Sequence, residues 1–152
     1  GGHVTLEDRV NMGAGAGCHQ FVRVGRTAMI AGMARVVQDV VPFATVANDN
    51  TLYGLNRVGI RRAGFPREAM APLKEAYRRF CIHRTPLAEL MNWLQNQPEN
   101  PFLRAWIDFL GVKSRRGYAR AESGRTENGL TKSARGEGGL GGGPVNESES
   151  KQ

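Results

Sequence analysis

The sequence has little of what would tie a chain to an oxidising compartment or to a membrane. Its 152 residues include only two cysteines, Cys18 and Cys81, whose isolation fits neither a disulfide framework nor a metal knuckle. No apolar stretch approaches the ~20 residues that a membrane-spanning helix needs, and no signal peptide is recognisable. These absences predict a cytoplasmic protein with reduced thiols and no stable membrane insertion.

Aromatic residues are absent after Tyr118. Residues 119–152 are rich in Gly, Ser and Glu, and their only larger aliphatic residues are Leu130, Leu140 and Val145. A segment of this composition buries too little apolar surface to offset the loss of chain entropy. We therefore expect residues 119–152 to be a disordered tail.

Small aliphatic residues recur every six positions near the start of the chain. They are Val4, Val10, Ala16, Val22, Ala28, Ala34 and Val40, and a second apolar residue follows two positions later from Leu6 to Val36. Neither a helix nor a hairpin has this period, whereas short strands joined by tight corners do. Three hexads per triangular coil predict a parallel β-helix in which residues 18 apart stack. His3 would then lie under Phe21, and Phe21 under Asp39.

The hexad repeat is already in phase at Val4, with no atypical capping element before it. Because the terminal coils of solenoids usually carry such caps, we expect the chain to begin inside a longer solenoid.

The periodicity changes from two to about 3.6 after Pro42. One apolar helical stripe runs from Phe65 to Phe80, although Pro72 must either kink that helix or start it afresh. Thr85 and Pro86 predict the start of a second helix, while Asn100 and Gly111 bound a third. The predicted fold is mainly β plus α. It has β-helix coils over residues 1–50, a linker and three-helix domain over 51–118, and the tail over 119–152.

Positive charge is concentrated between Arg57 and Arg84. Eight basic residues lie there against only Glu68 and Glu75, within a chain of net charge +7. Such a stretch favours an anionic partner, either a phosphorylated small molecule or an acidic protein. Nucleic acid is disfavoured, because no interleaved aromatic residues, zinc-finger spacing or recognition helix accompanies the charge.

Four phrases in fixed order carry a family resemblance: GHVTLEDRV, HQFVRVG, AMIAGMARVVQDVVPFATV and LYGLNRVGIRRAGF. Over about residues 2–118 the chain resembles the acyl-carrier-protein:UDP-N-acetylglucosamine O-acyltransferases, which catalyse the first step of lipid A biosynthesis. The resemblance implies a left-handed β-helix and a homotrimer with sites between subunits. It also implies transfer of a 3-hydroxyacyl group from the phosphopantetheine thioester of acyl carrier protein to the 3-hydroxyl of UDP-N-acetylglucosamine, with no other cofactor and no metal.

The same resemblance implies roles for single residues. The general-base histidine has no counterpart in this chain, so we expect the chain alone to be inactive. Gly2 matches a backbone donor to the oxyanion. The matched substrate-binding residues are His3, His19, Gln20, Asn56, Arg61 and Arg62, and Gly32 matches the end of the acyl-chain groove. The family often has a further basic residue at the position of Ala63, and Arg61 is a candidate to compensate for its absence.

Other interpretations stay open at this point. His3 and His19 are also compatible with corner residues bonded to the backbone, Gln20 with an internal amide ladder, and Arg61 and Arg62 with surface roles. A zinc set of His3, His19 and His83 is disfavoured, because His83 falls in the helical segment and catalytic zinc usually has three protein ligands. The alternative functions are a non-catalytic trimeric module that binds a UDP-sugar and another hexapeptide-repeat acyltransferase.

Overall fold

The computed structural model describes residues 1–129, and their first half is a parallel β-helix. Six two-residue strands form its coils: β1 (Thr5–Leu6), β2 (Asn11–Met12), β3 (Gly17–Cys18), β4 (Arg23–Val24), β5 (Met29–Ile30) and β6 (Arg35–Val36). β1 pairs with β4, β2 with β5 and β3 with β6, each in parallel and each joining residues 18 apart. The coil length predicted from the hexads is therefore confirmed.

Each corner of the β-helix is a single residue with left-handed backbone geometry. These residues recur every six positions: His3, Arg9, Gly15, Phe21, Thr27 and Met33, with φ between 56° and 71°. Only one of the six is glycine, so five corners hold a side chain in a conformation that costs of the order of 1 kcal/mol. The backbone hydrogen bonds between coils hold these corners in place.

The interior of the β-helix is buried in the second coil and accessible in the first. The inward residues from Val22 to Val36 are at most 1% exposed, whereas Leu6 is 48% and Met12 is 36% exposed. The first coil has a neighbouring coil on only one side within the described residues, which explains the difference.

The 18-residue register ends after Val36. Val24 pairs with Val40, and the Asp39 carboxylate accepts from the Arg23 amide, which lies 16 residues before it (2.8 Å). The prediction that Asp39 stacks over Phe21 is therefore wrong, because the last turn of the β-helix is two residues shorter than the coil below it. The stacking of His3 under Phe21 is confirmed, with ring centroids 5.1 Å apart and planes 10° apart.

A mixed sheet closes this end of the β-helix. β7 (Ala44–Ala47) continues in parallel on β5, β8 (Thr51–Leu55) turns back antiparallel to β7, and β9 (Arg120–Ala121) pairs in parallel with β8. The coils thus give way to a hairpin near residue 50.

Four α-helices follow, where the sequence predicted three. They are α1 (Arg57–Arg62), α2 (Met70–Tyr77), α3 (Leu87–Gln95) and α4 (Pro101–Leu110). A 3-10 turn (Arg67–Ala69) precedes α2 and a π-helical turn (Arg78–Ile82) follows it, so the stripe from Phe65 to Phe80 is not one helix. Pro72 lies in the first turn of α2, where the missing N–H disrupts no bond, so the helix starts afresh there. None of these helices is long and apolar enough to span a membrane.

The helix-capping predictions hold for α4 and shift by one residue for α3. Asn100 Oδ1 accepts from the Phe102 and Leu103 amides, and Gly111 is the C-cap. Pro86 occupies the N-cap position of α3 rather than its first turn. α4 packs on the β-helix through the fully buried Trp106, whose Nε1 donates to the Pro42 carbonyl (3.2 Å).

Both cysteines are free thiols. Cys81 is fully buried, and burial raises the pKa of its thiol to about 12, so the reactive thiolate is scarce at neutral pH.

Residues 119–129 are ordered against the fold, in contrast to the predicted tail. Ala119 and Ala121 are buried, and the Leu55 amide donates to the Glu127 carbonyl (2.9 Å). The Glu127 carboxylate accepts from Arg78 Nε (3.1 Å) and Nη2 (2.8 Å). Composition alone missed this segment because strand pairing and an ion pair hold it, not large apolar side chains. The rest of the predicted tail, residues 130–152, lies outside the described residues.

We expect Glu127→Gln to lower the free energy of unfolding at pH 7 by about 1 kcal/mol, because it removes a charge-assisted two-pronged contact that is partly screened by solvent. Hydrogen bonds from Arg78 hold the pKa of Glu127 below its ordinary value. The carboxylate therefore stabilises the fold above the unfolded pKa, and this contribution is lost as the pH falls through the folded pKa.

Urea titrations of both proteins from pH 7 to pH 3 check this expectation. The stability gap should persist down to about pH 5 and close below roughly pH 4. Glu99→Gln, which breaks an exposed ion pair to Arg104, is the matched control and should change stability by less than about 0.5 kcal/mol. A pH-independent gap would contradict the assignment.

Candidate functional site

Four of the predicted site residues lie at one corner of the β-helix, in two successive coils. Gly2 and His3 form the corner of the first coil, and His19 and Gln20 precede Phe21 at the same corner of the second. The Phe21 amide donates to the Gly2 carbonyl (3.0 Å), which locks the two corners in register. The structure therefore brings these four residues together.

The backbone of Gly2 suits the predicted role as a donor. Its N–H makes no hydrogen bond to any acceptor among residues 1–129, and nothing within 4 Å occupies the space where a Cβ would be. An N–H without an acceptor in the described part of the chain can donate to an oxygen that develops negative charge.

A cleft of about 380 Å³ opens beside His3, and basic residues line it. Lys113 and Arg115, from the segment after α4, face His3 and Phe21 across this cleft, and the Arg115 guanidinium lies 4.7 Å from the centre of the Phe21 ring. Sequence reasoning assigned no role to Lys113 or Arg115. Only the packing of α4 against the β-helix reveals that they adjoin His3.

The side chain of Asn56 holds two elements together. Its Oδ1 accepts from the Gly59 amide (3.0 Å) and caps α1, while its Nδ2 donates to the Thr27 carbonyl at a β-helix corner (2.8 Å). Asn56 was predicted to contact substrate, and in this structure it positions α1 against the second corner of the coil.

Arg61 and Arg62 point into different clefts. Arg62 lines a cleft of about 410 Å³ with Asn56, Ala63 and residues of the second corner. Arg61 lines a separate cleft of about 380 Å³ together with Arg57, Phe65 and Arg67. One helical step of about 100° separates neighbours on α1, which explains the divergence. Arg61 therefore does not line the cleft that Ala63 lines.

Gly32 lies at the third corner of the second coil, next to Met33. The Met33 side chain is 80% exposed, and its sulfur lies over Gly15 in the coil below. A Cβ at Gly32 would approach the Ala14 carbonyl oxygen at 3.4 Å, so the position has room for a small side chain.

Apart from Arg61, the predicted site residues thus lie at three separate corners of the triangular β-helix. His3, His19 and Gln20 share the first corner, Asn56 and Arg62 adjoin the second, and Gly32 lies at the third. A single chain does not bring all of them into one pocket. Within residues 1–129, no three His, Cys, Asp or Glu side chains are grouped closely enough to hold a metal ion.

Comparison with known proteins shows the family to which this chain belongs. The sequence model of domain 2 of the UDP-N-acetylglucosamine O-acyltransferases matches residues 39–119, more than half of the chain. The chain belongs to the UDP-N-acetylglucosamine O-acyltransferase family.

Two curated relatives illustrate the extent of the match. The chain is 40% identical over 121 residues to the acyl-carrier-protein:UDP-N-acetylglucosamine O-acyltransferase of Anaeromyxobacter sp. (strain K), covering 78% of this chain and 47% of that protein. It is 36% identical over 110 residues to the enzyme of the same name from Gloeothece citriformis (strain PCC 7424), covering 72% of this chain and 40% of that protein. The chain therefore spans less than half the length of these relatives.

Solved structures agree with the sequence matches. The UDP-N-acetylglucosamine acyltransferase of Francisella novicida superimposes with a TM-score of 0.71 at 35% identity, covering 78% of this chain and 44% of that one. The Arabidopsis UDP-N-acetylglucosamine acyltransferase superimposes with a TM-score of 0.67 at 32% identity, covering 78% of this chain and 45% of that one.

Within this acyltransferase fold, Asn56 gives a direct test of how α1 is positioned. We expect Asn56→Ala to lower the free energy of unfolding by about 1 to 2 kcal/mol, because it removes the cap of α1 and leaves the buried Thr27 carbonyl without its donor. Asn56→Asp keeps the capping oxygen and should show a smaller loss. Urea unfolding of the variants measures both.

Asn92→Ala is the matched control. Asn92 is exposed on α3, and its substitution should change stability by less than about 0.5 kcal/mol. Equal stability of the Asn56→Ala and Asn92→Ala proteins would show that Asn56 does not position α1.

Proposed function

We propose that this chain takes part in transfer of a 3-hydroxyacyl group from acyl carrier protein to the 3-hydroxyl of UDP-N-acetylglucosamine, the first step of lipid A biosynthesis in the cytoplasm. The observation that carries the proposal is the first corner, where Gly2, His3, His19 and Gln20 meet beside a basic cleft. Membership of the family and the names of the relatives support the same reaction.

In the proposed reaction this corner binds the sugar and stabilises the oxyanion, while the general base lies outside these 152 residues. A histidine of the preceding coil takes the proton of the sugar 3-hydroxyl, and the oxygen attacks the thioester carbonyl carbon. The Gly2 N–H donates to the carbonyl oxygen as it becomes negative. The C–S bond then breaks, the phosphopantetheine thiol leaves with the proton, and the acyl group is left on the sugar oxygen. His3, His19 and Gln20 orient the sugar.

The separation of the corners supports assembly as a homotrimer of left-handed β-helices. Arg62 and Gly32 adjoin different corners from His3. If the triangular β-helices of neighbouring subunits pack side by side, corners of two subunits meet at one groove. We assign Gly32 to the far end of the acyl groove and expect a long acyl chain, because a glycine there leaves the groove open.

A hybrid enzyme tests the proposed function. The coils that precede the matched region in the Anaeromyxobacter relative are joined in hexad register before Gly1, and transfer from 3-hydroxyacyl carrier proteins of short and long chain is measured. We expect transfer by the hybrid, with a preference for the long chain, and none above background by the 152-residue chain alone.

Substitution of the upstream base in the hybrid should lower the rate by about 10² to 10⁴. His3→Ala and Gln20→Ala should raise the KM for UDP-N-acetylglucosamine. A hybrid that forms trimers and binds UDP-N-acetylglucosamine but transfers nothing would instead support a non-catalytic sugar-nucleotide module. Robust transfer by the chain alone would overturn the assignment of the base.

Carrier-protein docking fits one part of the basic stretch. Arg78 and Arg79, natural candidates from charge alone, are engaged within the fold: Arg78 pairs with Glu127 and Glu75, and Arg79 pairs with Glu75 and stacks on Trp93. By contrast, Arg57, Arg61 and Arg67 are exposed and line one cleft. None of the three forms an ion pair with a carboxylate of residues 1–129. We therefore assign docking of the acidic carrier protein to these three arginines.

Charge reversal in the hybrid checks the docking surface. Arg61→Glu and Arg67→Glu should raise the KM for the acylated carrier protein by about tenfold at low salt, and the effect should shrink as screening increases. The KM for UDP-N-acetylglucosamine should stay within twofold. Arg104→Glu, on exposed α4 surface, is the matched control, and equal effects on both substrates would remove the docking assignment.

A further inference from the structure

The cleft between the second corner of the β-helix and α1 contains residues that neither the resemblance nor the comparisons assign. It has a volume of about 410 Å³. Arg9, Asn11 and Thr27 line it from the coils, and Asn56, Arg62 and Ala63 line it from the α1 side. The resemblance implies a substrate-binding role for Asn56 and Arg62 alone among these residues. The polar groups of Arg9, Asn11 and Thr27 therefore need an explanation.

Arg9 and Thr27 are stacked in the same way as His3 and Phe21. Each lies six residues after a member of that pair, and both have left-handed backbone geometry, with φ of 60° and 58°. The Thr27 amide donates to the carbonyl of Asp8, the neighbour of Arg9 (2.9 Å). The corner thus places an arginine directly below a threonine, both at the cleft.

The hydroxyl of Thr27 is buried without a partner. Thr27 is 2% exposed, and its Oγ1 makes no hydrogen bond within residues 1–129. An unsatisfied buried hydroxyl costs about 1 to 3 kcal/mol, and such groups in native folds call for an explanation, of which a bound ligand is one.

The two arginines of the cleft are also without anionic partners. Neither Arg9 nor Arg62 forms an ion pair with a carboxylate of residues 1–129, whereas Arg23 and Arg78 do. Two guanidinium groups, a hydroxyl donor and an Asn11 side chain around one cleft form a set that suits phosphate oxygens.

We propose that Arg9 and Thr27 bind the diphosphate of the sugar nucleotide together with Arg62, with Arg9 supplying the second positive charge that the family often places at the position of Ala63. This inference rests on the proposed function. The alternative compensating residue, Arg61, lines the other cleft with Arg57 and Arg67. In this assignment the second positive charge of the cleft comes from Arg9 at the β-helix corner, not from residue 63 at the end of α1. The cleft therefore keeps two cations, one from the β-helix and one from α1.

Calorimetric titration of the 152-residue chain with UDP, and separately with uridine, tests the proposal. Arg9→Ala should weaken UDP binding about tenfold, the loss expected of one charge-assisted contact, while the affinity for uridine stays unchanged because uridine has no phosphate. Arg35→Ala, on an exposed strand of the same β-helix, is the matched control and should leave both affinities unchanged.

Rescue distinguishes a ligand contact from a structural role. Ala63→Arg in the Arg9→Ala background should restore UDP affinity to within about threefold of the parent, because it returns a cation to the same cleft. Thr27→Val, which keeps the shape of the side chain, should raise the Tm of the free protein and reduce the further rise in Tm that UDP produces.

The outcomes distinguish a failure of the Arg9 assignment from a failure of the proposed function. UDP binding that Arg9→Ala leaves intact, or that Arg61→Ala weakens more than Arg9→Ala does, overturns the assignment of Arg9 and leaves the acyltransferase function standing. If neither the chain nor the hybrid enzyme binds UDP or UDP-N-acetylglucosamine, the proposed function fails and this assignment fails with it.

Discussion

The buried ion pair between Arg23 and Asp39 joins the β-helix to the helices that follow it. The Asp39 side chain is fully buried and accepts from the backbone and the guanidinium of Arg23. The same guanidinium donates to the Phe109 and Val112 carbonyls at the end of α4 (3.1 Å each). Removing either partner would leave a buried charge unpaired, which is costly. Because this contact sets where the chain leaves α4, it also sets where Lys113 and Arg115 meet His3.

The corners explain where the candidate site residues of the β-helix lie. Strands of two residues leave little outward surface on the flat faces, whereas each left-handed corner presents one side chain per coil, in register with the coil above. The His3–Phe21 and Arg9–Thr27 pairs are two instances of this arrangement at two corners. Backbone hydrogen bonds between coils hold these corner residues in their strained left-handed conformation. The same conformation is the one that presents their side chains at the candidate site.

The candidate site could be predicted from sequence only in part. The phrases GHV and HQF located one corner, and the 18-residue period was sufficient to place His3 beneath Phe21. The same period also places Arg9 beneath Thr27, but Thr27 falls between the family phrases and the resemblance implies no role for either residue. For Arg61 and Arg62 the sequence predicted a shared role, while the 100° step of α1 directs them into separate clefts.

The sequence by itself determined the coil period, the inward residues and the caps of α4, because these depend on local spacing and on single side chains. Only the tertiary structure decided the shortened last turn at Asp39, the short helix α1 and the ordering of residues 119–129. Each of these depends on a partner far away in the chain: Arg23 for Asp39, the Thr27 carbonyl for Asn56, and Arg78 for Glu127. A hydrogen bond or ion pair between distant residues leaves no periodic trace in the sequence, so packing alone reveals it.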